Sequence, residues 1–131
     1  MKTATQLSLF LANKPGTLAA VCEALAQNGI NVHALSVLEA VDHAVVRMVV
    51  SDSRKALHLL GERGVLVVER EVLLLKGRSR PGELADIAHR LSENDINIEY
   101  AYTATPPDVD TGMMVMSVGN MAKAKKILRN Y

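Results

Sequence analysis

Two short motifs occur twice along the chain, and this repetition constrains the fold more than any other feature of the sequence. The first copy reads Asn13-Lys14-Pro15-Gly16-Thr17-Leu18, followed by Asn28-Gly29-Ile30-Asn31-Val32. The second copy reads Ser79-Arg80-Pro81-Gly82-Glu83-Leu84, followed by Asn94-Asp95-Ile96-Asn97-Ile98, and each position lies 66 residues after its counterpart. Because both motifs keep the same offset, we predict a tandem repeat of one structural unit. The units are placed at residues 1–70 and 71–131.

Size and composition are those of a globular protein. With 131 residues for two units, neither unit can bury a large core alone, so we expect the units to pack on each other or on a second chain. Apolar residues make up 49% and charged residues 22% of the chain, as in soluble globular proteins. There is no Trp and a single Phe, so the predicted core is aliphatic. The formal net charge of +1 leaves no basic excess that would indicate nucleic acid or an anionic membrane as a partner.

The single cysteine, Cys22, excludes an intrachain disulfide and a multi-cysteine metal site, and it suits a reducing compartment. The apolar run from Leu7 to Ala12 is broken by Ser8 and is short for the core of a signal peptide. No run approaches the length that spans a membrane. We therefore expect a cytoplasmic protein that needs no cofactor and binds neither nucleic acid nor a membrane.

The first unit shows an ordered series of strand and helix patterns. Alternating Leu7, Leu9 and Leu11 predict a strand over residues 5–12. A helix is predicted between Pro15, which we place in its first turn, and Gly29, which lies past its last turn. The apolar face of that helix comprises Leu18, Val21, Cys22, Leu25 and Ala26. Strands over residues 30–40 and 44–50, a helix around Ala56, Leu59 and Leu60, and a strand over residues 65–68 follow.

The second unit repeats this order as far as its last helix. Its first helix is predicted to face inward through Leu84, Ile87, Ala88 and Leu91, and its last through Ala124, Ile127 and Leu128. In the last helix the offset has grown to 68, so we place two extra residues in the hairpin loop around Pro106 and Pro107. No strand follows the last helix, which leaves an edge that a neighbour covers or that stays open. Residues 65–76 contain no Gly or Pro, so the adjoining strands of the two units are expected to run almost directly into each other.

The order of elements predicts an α+β fold. Two interleaved strand–helix–strand crossovers give the ferredoxin-like arrangement, in which helices cover one face of a four-stranded antiparallel sheet. The chain is thus expected to hold two such βαββαβ units, the second without its last strand. A sheet with one open face favours a partner, and a homodimer is the default expectation.

The Pro-Gly turns are candidate binding sites. Glycine lets a ligand approach the backbone, and the start of the following helix presents unpaired N–H groups and partial positive charge. This combination suits a carboxylate or a phosphate. Asn31 and Asn97 open the next strand of each unit, and an Asn amide can hold an ammonium or a carboxylate group without carrying charge. The sequence leaves open whether Asn13 and Asn31 meet within one unit or across an interface between units. It also leaves open that these residues only form turns and strand starts.

The doubled pattern resembles the signature of the ACT domain family, small ferredoxin-like modules that bind amino acids and regulate enzymes of amino-acid metabolism. The resemblance covers nearly the whole chain, as two ACT units without a catalytic domain. It implies a non-enzymatic regulatory protein whose effector is a free amino acid, bound at an interface between units. The implied ligand-binding residues are Asn13, Lys14, Pro15, Gly16, Thr17, Leu18, Asn31 and Val32 in the first unit, and Ser79, Arg80, Gly82, Glu83, Leu84, Asn97 and Ile98 in the second. Because Ser79 stands where the first copy has Asn13, the second site is expected to be weaker or differently selective.

Two other classes of function remain. One is an assembly partner without a small-molecule ligand. The other is a small acyl-phosphate hydrolase, which Arg78 or Arg80 beside the turn would suit, although no nucleophile or base accompanies them. The four histidines lack the spacing of a metal site, and Cys22 is expected in the core. The regulated enzyme or transporter is not indicated by the sequence.

Overall fold

The computed structural model describes all 131 residues, Met1–Tyr131, as six strands and four helices in the predicted order. The predicted fold class is confirmed, including the absence of a strand after the last helix. The elements are β1 (Lys2–Ala12), α1 (Thr17–Gln27), β2 (Val32–Glu39), β3 (His43–Val50), α2 (Ser53–Glu62), β4 (Leu66–Arg78), α3 (Glu83–Glu93), β5 (Ile98–Ala104), β6 (Thr111–Val118) and α4 (Met121–Ile127).

The chain forms two compact units. The first unit is Thr5–Arg70, and the second consists of Met1–Ala4 together with Glu71–Tyr131. The division falls inside β1 and β4, so each of these strands contributes residues to both units. β4 is a single strand of 13 residues, in agreement with the expectation that two strand patterns run directly into each other.

In the first unit, β3 pairs antiparallel with β1 on one side and with β2 on the other. The first residues of β4 lie on the far side of β1, which gives the strand order β2-β3-β1-β4. The core lies between one face of this sheet and the two helices. It contains alternate strand residues together with residues of α1 and α2: Leu7, Leu9, Leu11, Val46, Met48, Val21, Leu25, Ala56 and Leu60.

In the second unit, β6 pairs antiparallel with β4 and with β5. β1 is the other neighbour of β4, and its residues up to Ala4 belong to this unit. The amino-terminal residues therefore take the sheet position that a strand after α4 would have filled. Met1 packs against the core of the second unit, which is built from Leu73, Leu75, Ile87, Leu91, Met114, Met116, Ala124 and Leu128.

The two cores repeat each other residue by residue. Leu7, Leu9 and Leu25 correspond to Leu73, Leu75 and Leu91 at an offset of 66, and Met48 and Leu60 correspond to Met116 and Leu128 at an offset of 68. All of these side chains are at most 1% exposed. A fully buried side chain of this size stabilises the fold by roughly 1.5–3 kcal/mol, so the repeated aliphatic pattern accounts for much of the stability of each unit.

Some inward-facing positions were predicted wrongly. Leu84 is 52% exposed, because Glu83 takes the inward position at the start of α3 and the next residue is rotated by about 100° around the helix axis. In α1 the buried residues are Val21, Ala24 and Leu25. Cys22 is only half-buried and Ala26 is exposed, since both lie at the edge of the face that Val21 and Leu25 define.

A side chain caps the amino end of the second helix in each unit. The backbone N–H of Lys55 donates to the Asp52 carboxylate at 3.0 Å, and the N–H of Lys123 donates to the Asn120 side-chain oxygen at 3.1 Å. Each bond satisfies one N–H that the first turn leaves unpaired. No helix of the structure is long and apolar enough to cross a membrane.

Candidate functional site

Both Pro-Gly turns have the same backbone conformation. Gly16 and Gly82 precede α1 and α3 in the left-handed region, with φ of 91° and 93°. This region favours glycine, because a side chain would collide with the following carbonyl group. The helices begin only after these glycines, so Pro15 lies before its helix and not in the first turn as predicted, and Pro81 has the same position before α3.

Each turn is joined to the β-hairpin of its own unit. The backbone N–H of Asn13 donates to the carbonyl of Asp42 at 3.0 Å, and the N–H of Ser79 donates to the carbonyl of Asp110 at 2.7 Å. The acceptors lie in the loops between β2 and β3 and between β5 and β6. The acceptor Asp110 lies 68 residues after Asp42, whereas the donor Ser79 lies 66 residues after Asn13. This difference agrees with two extra residues in the second hairpin.

The first turn has acceptors at Asn13 and Glu39 and one cationic residue, Lys14, without an ionic partner. The Asn13 amide nitrogen donates to the carbonyl of Ala40 at 2.9 Å and to Glu39 Oε1 at 3.3 Å, which leaves the Asn13 side-chain oxygen as an acceptor. The Lys14 side chain makes no ion pair, and the first turn of α1 contains no acidic residue. Thr17 Oγ1 lies 2.8 Å from the carbonyl oxygen of Ala12, so its hydroxyl group is held by the turn itself.

The second turn carries its own carboxylate. Glu83 Oε2 accepts from the backbone N–H of Arg78, and Glu83 Oε1 lies 2.8 Å from Arg80 Nη2. The Glu83 side chain is only 12% exposed. Arg80 Nη2 also lies 2.6 Å from Asp86 Oδ2. The hydrogen bond from Arg80 lowers the pKa of Asp86 below its ordinary value, and the same bond raises the pKa of the Arg80 guanidinium.

A cavity lies beside each turn. The cavity of the second unit has a volume of about 390 Å³, and its walls include Arg80, Glu83, Thr103 and Thr105. The cavity of the first unit has a volume of about 330 Å³ and is lined by Phe10, Leu11, Ala12, Thr17, Ala20, Val21, Arg63 and Val65. Both volumes are adequate for a small metabolite, which is the size class expected of an effector.

The asparagines that open the second strand of each unit lie away from the turns. Asn31 exchanges hydrogen bonds with Ser51, which follows the last residue of β3, whereas Asn13 bonds to Asp42, which precedes the first. The length of β3, about 26 Å for a strand of this size, therefore separates the partners of the two asparagines. Asn13 and Asn31 of one unit do not meet. Val32 and Ile98 are half-buried and pack against the two cores.

The second unit has the same separation. The carbonyl of Asn97 accepts from the N–H of Gly119 at 3.0 Å, next to the end of β6 and far from the turn at Ser79. Asn97 lines a separate cavity of about 380 Å³ with Ala88, Ser92, Asp95, Ile96 and Ile98. The side chains of Asn31 and Asn97 are exposed and make no hydrogen bond in the structure. Each unit thus presents two polar regions, one at the turn and one at the start of its second strand.

Sequence analysis missed three residues: Glu39, which contacts the first turn, and Arg63 and Thr105, which line the two cavities. Glu39 lies 26 positions after Asn13, so no local pattern connects them. Arg63 reaches the first cavity from the end of α2, and Thr105 reaches the second from the β5–β6 loop. One sequence signal could have identified the hairpins as part of the sites. At the offset of 66, Glu39 of the first unit aligns with Thr105 of the second, so the two hairpins bring different side chains to their turns.

No group of three or more His, Cys, Asp and Glu side chains is close enough to hold a metal ion. Two histidines have single acidic neighbours on the surface. His58 Nε2 lies 3.0 Å from Glu62 Oε1, and His43 Nδ1 lies 2.9 Å from Asp42 Oδ1. Both are ordinary surface pairs, which contribute little to stability.

Comparison with known proteins identifies the family. The model of the ACT domain pair matches residues 2–130. The protein BT0572 from Bacteroides thetaiotaomicron is 34% identical, with a TM-score of 0.91 over 98% of this chain and 88% of that chain.

Two structures described as regulatory subunits of aspartate kinase have the same fold. The subunit from Thermus thermophilus, in a ligand-free form, is 21% identical with a TM-score of 0.70 over 98% of this chain and 93% of that chain. The subunit from Thermus flavus is 23% identical with a TM-score of 0.65 over 98% of this chain and 94% of that chain. No curated protein matches the chain. The predicted family is confirmed by the match over residues 2–130, and the chain belongs to the family of ACT domain pairs.

Proposed function

We propose that the protein is a non-enzymatic regulator that senses a small free amino acid and modulates a partner enzyme or transporter of amino-acid metabolism. Membership of the ACT domain pair family supports a regulatory role, and two structures of the same fold are described as regulatory subunits. The observation that carries the proposal is the chemistry of the first turn, where Asn13 and Glu39 offer acceptors and the first turn of α1 contains no acidic residue.

The carboxylate of the amino acid would bind on the helix side of the first turn. The unpaired N–H groups at the start of α1 and the Lys14 ammonium group attract an anion, and no acidic residue in the first turn opposes them. At Gly16 there is open space, since a Cβ atom built there would meet nothing within 4 Å. A ligand can therefore reach the backbone directly.

The ammonium group would bind on the hairpin side. Both amide hydrogens of Asn13 are directed at Glu39 and Ala40, so its side-chain oxygen is the group left to accept from a ligand. The Glu39 carboxylate lies 3.3 Å from the Asn13 amide nitrogen and adds a negative charge at the same place. Charge-assisted hydrogen bonds of this type are roughly twice as strong as neutral ones.

Asn31 and Asn97 lie too far from the turn of their own unit to contact a ligand bound there. The backbone of an amino acid is too short to reach both the turn and the strand start of one unit. Their unpaired amides are proposed to contact ligand that is bound at the turn of a second copy of the chain, which makes a homodimer the functional form. The ligand would then stabilise one packing of the two copies, and a coupling free energy of about 1–3 kcal/mol is enough for a regulatory switch.

The test is a thermal-shift screen of the full chain against the twenty protein amino acids. One or a few should raise the melting temperature in a saturable way, because a ligand that binds only the native state adds about 2.7 kcal/mol of stability at 100 times its dissociation constant. Asn13→Ala should abolish that shift, while Ser79→Ala, the matched change in the second turn, should retain it.

If no amino acid stabilises the wild-type protein, the proposed function is wrong. A stable complex with a partner protein, formed without any such ligand, would then favour the role of an assembly partner. If Asn13→Ala is stabilised as strongly as the wild type, an amino acid binds elsewhere and the assignment of the first turn is wrong.

A further inference from the structure

We propose that the Glu83 carboxylate is a built-in replacement for a ligand carboxylate at the second turn, so that each chain takes up a carboxylate ligand at its first turn only. This inference rests on the proposed function, and it names the residue that distinguishes the two turns. The class of ligand excluded from the second turn is any small carboxylate, free amino acids included.

The Glu83 carboxylate is held by one backbone donor and one side-chain donor of the second turn. Glu83 is the first residue of α3, and its carboxylate bridges the backbone N–H of Arg78, before the turn, and the guanidinium of Arg80, within it. At 12% exposure the side chain is largely removed from water, so these two donors replace water as the hydrogen-bond partners of its oxygens. A ligand carboxylate would have to displace Glu83 from them and leave its charge unpaired, which is strongly unfavourable.

A second substitution between the repeats makes room for Glu83. A Cβ atom built on Gly77 would lie 3.4 Å from Glu83 Cγ and 3.6 Å from Glu83 Oε2. The residue 66 positions earlier is Leu11, whose side chain is buried in the core of the first unit. The second unit therefore has glycine where the first has a large apolar side chain, and the stem of Glu83 lies against the space that this exchange leaves.

The first turn has neither feature. Thr17, which corresponds to Glu83, is short and uncharged, and its hydroxyl group lies 2.8 Å from the carbonyl oxygen of Ala12. Lys14, which corresponds to Arg80, has no acidic partner, whereas Arg80 contacts both Glu83 and Asp86. The positive charge of the first turn is thus open to an external anion, while that of the second turn is neutralised within the chain.

The test uses sodium acetate, a carboxylate without an ammonium group, as the probe. Backbone amide signals of the full chain are followed by NMR while acetate replaces chloride at constant ionic strength. In the wild-type protein the amides of residues 16–18 should shift in a saturable way and those of residues 82–84 should not. In Glu83→Thr, which copies Thr17, the amides of Arg78 and of residues 82–84 should also shift. The affinity for acetate should be about tenfold or more above that of the wild type, because one adjacent like charge is gone.

Glu83→Gln provides a second variant of nearly the same size, which keeps the inference testable if Glu83→Thr fails to fold. The inference is overturned if acetate shifts both turns of the wild-type protein equally, or if residues 82–84 stay silent in every folded variant. Its failure is distinct from that of the proposed function. If acetate selects the first turn but no amino acid stabilises the protein, the proposed function fails and the role of Glu83 stands.

Discussion

Lys55 Nζ donates a hydrogen bond of 2.8 Å to the carbonyl of Asn28, the residue directly after α1, and so ties the start of α2 to the end of α1. Lys123 makes the same bond, also of 2.8 Å, to Asn94 in the second unit. A cation at a helix carboxyl end satisfies an unpaired carbonyl group and interacts favourably with the helix dipole. The bond recurs in both units, although the surrounding helix surfaces differ in sequence.

Replacing Lys55 by Met keeps the length of the side chain and removes this bond. We expect a loss of about 0.5–1.5 kcal/mol in the free energy of unfolding, measured by urea denaturation. Lys2→Met is the control, because Lys2 is exposed, lies outside the helices and makes no side-chain hydrogen bond or ion pair, and it should change stability by less than about 0.5 kcal/mol. Equal effects of the two substitutions would contradict a specific role for the Lys55 bond.

Asp95 is the one non-glycine residue with positive φ, at 56°, and the corresponding residue of the first unit is Gly29, at 68°. A side chain in this conformation is strained, although Asp tolerates it better than most residues. Asp95→Gly is therefore expected to stabilise the protein by about 0.5–1 kcal/mol, and Gly29→Asp to destabilise it, in urea denaturation. Destabilisation by Asp95→Gly would mean that the Asp95 side chain contributes more than the strain costs.

The ion pair between Arg80 and Asp86 makes stability depend on acid pH. Since the pKa of Asp86 is lowered in the folded state, its contribution is present above the unfolded pKa of 3.8 and is lost as pH falls through the lower folded pKa. Arg80→Ala should raise the pKa of Asp86 toward its ordinary value, which an NMR titration of the carboxyl carbon detects. High salt should weaken the effect, because both groups are about half exposed. An unchanged Asp86 titration in Arg80→Ala would rule out this pairing in solution.

Gly112 lies so close to Thr105 that a side chain at position 112 would collide with it. A Cβ atom at Gly112 would lie 2.0 Å from Thr105 Oγ1 and 3.0 Å from Thr105 Cβ. We expect Gly112→Ala to cost about 1–3 kcal/mol in thermal or urea unfolding, as overpacking usually does. Adding Thr105→Gly should restore most of that loss. The first unit has Ala44 at the matching position, so an alanine is compatible with the strand itself.

Glu39 supplies the negative charge of the proposed amino-acid site. Glu39→Gln preserves the shape and an acceptor for Asn13, but removes the charge that attracts an ammonium group. Affinity for the stabilising amino acid should fall by about tenfold, measured by calorimetry. Glu93→Gln, an exposed change at the end of α3, should leave the affinity unaltered. An unchanged affinity in Glu39→Gln would place the ammonium group elsewhere.

The two units, the order of their elements and most of their core were predictable, because these features depend on local patterns. The alternation of Leu7, Leu9 and Leu11 marks a strand regardless of what packs on it, and the constant offset transfers each assignment to the second unit. The family followed from the same doubled motif. The ends of individual helices were predicted less accurately, since Pro15 lies before the helix that it was expected to begin.

Relations between distant residues were decided only by the tertiary structure. The sheet position that a strand after α4 would have filled is taken by the first residues of the chain, which lie at the opposite end of the sequence from α4. Glu83 faces inward because Gly77 on the preceding strand leaves space for it, and this turns Leu84 outward.

The repeated Pro-Gly motif determined by itself that two helix starts of the same shape would exist. It could not determine that one turn binds its own glutamate while the other stays open. That difference depends on which side chains the strands and the hairpin bring to each turn, and therefore on packing across distances that no local pattern records.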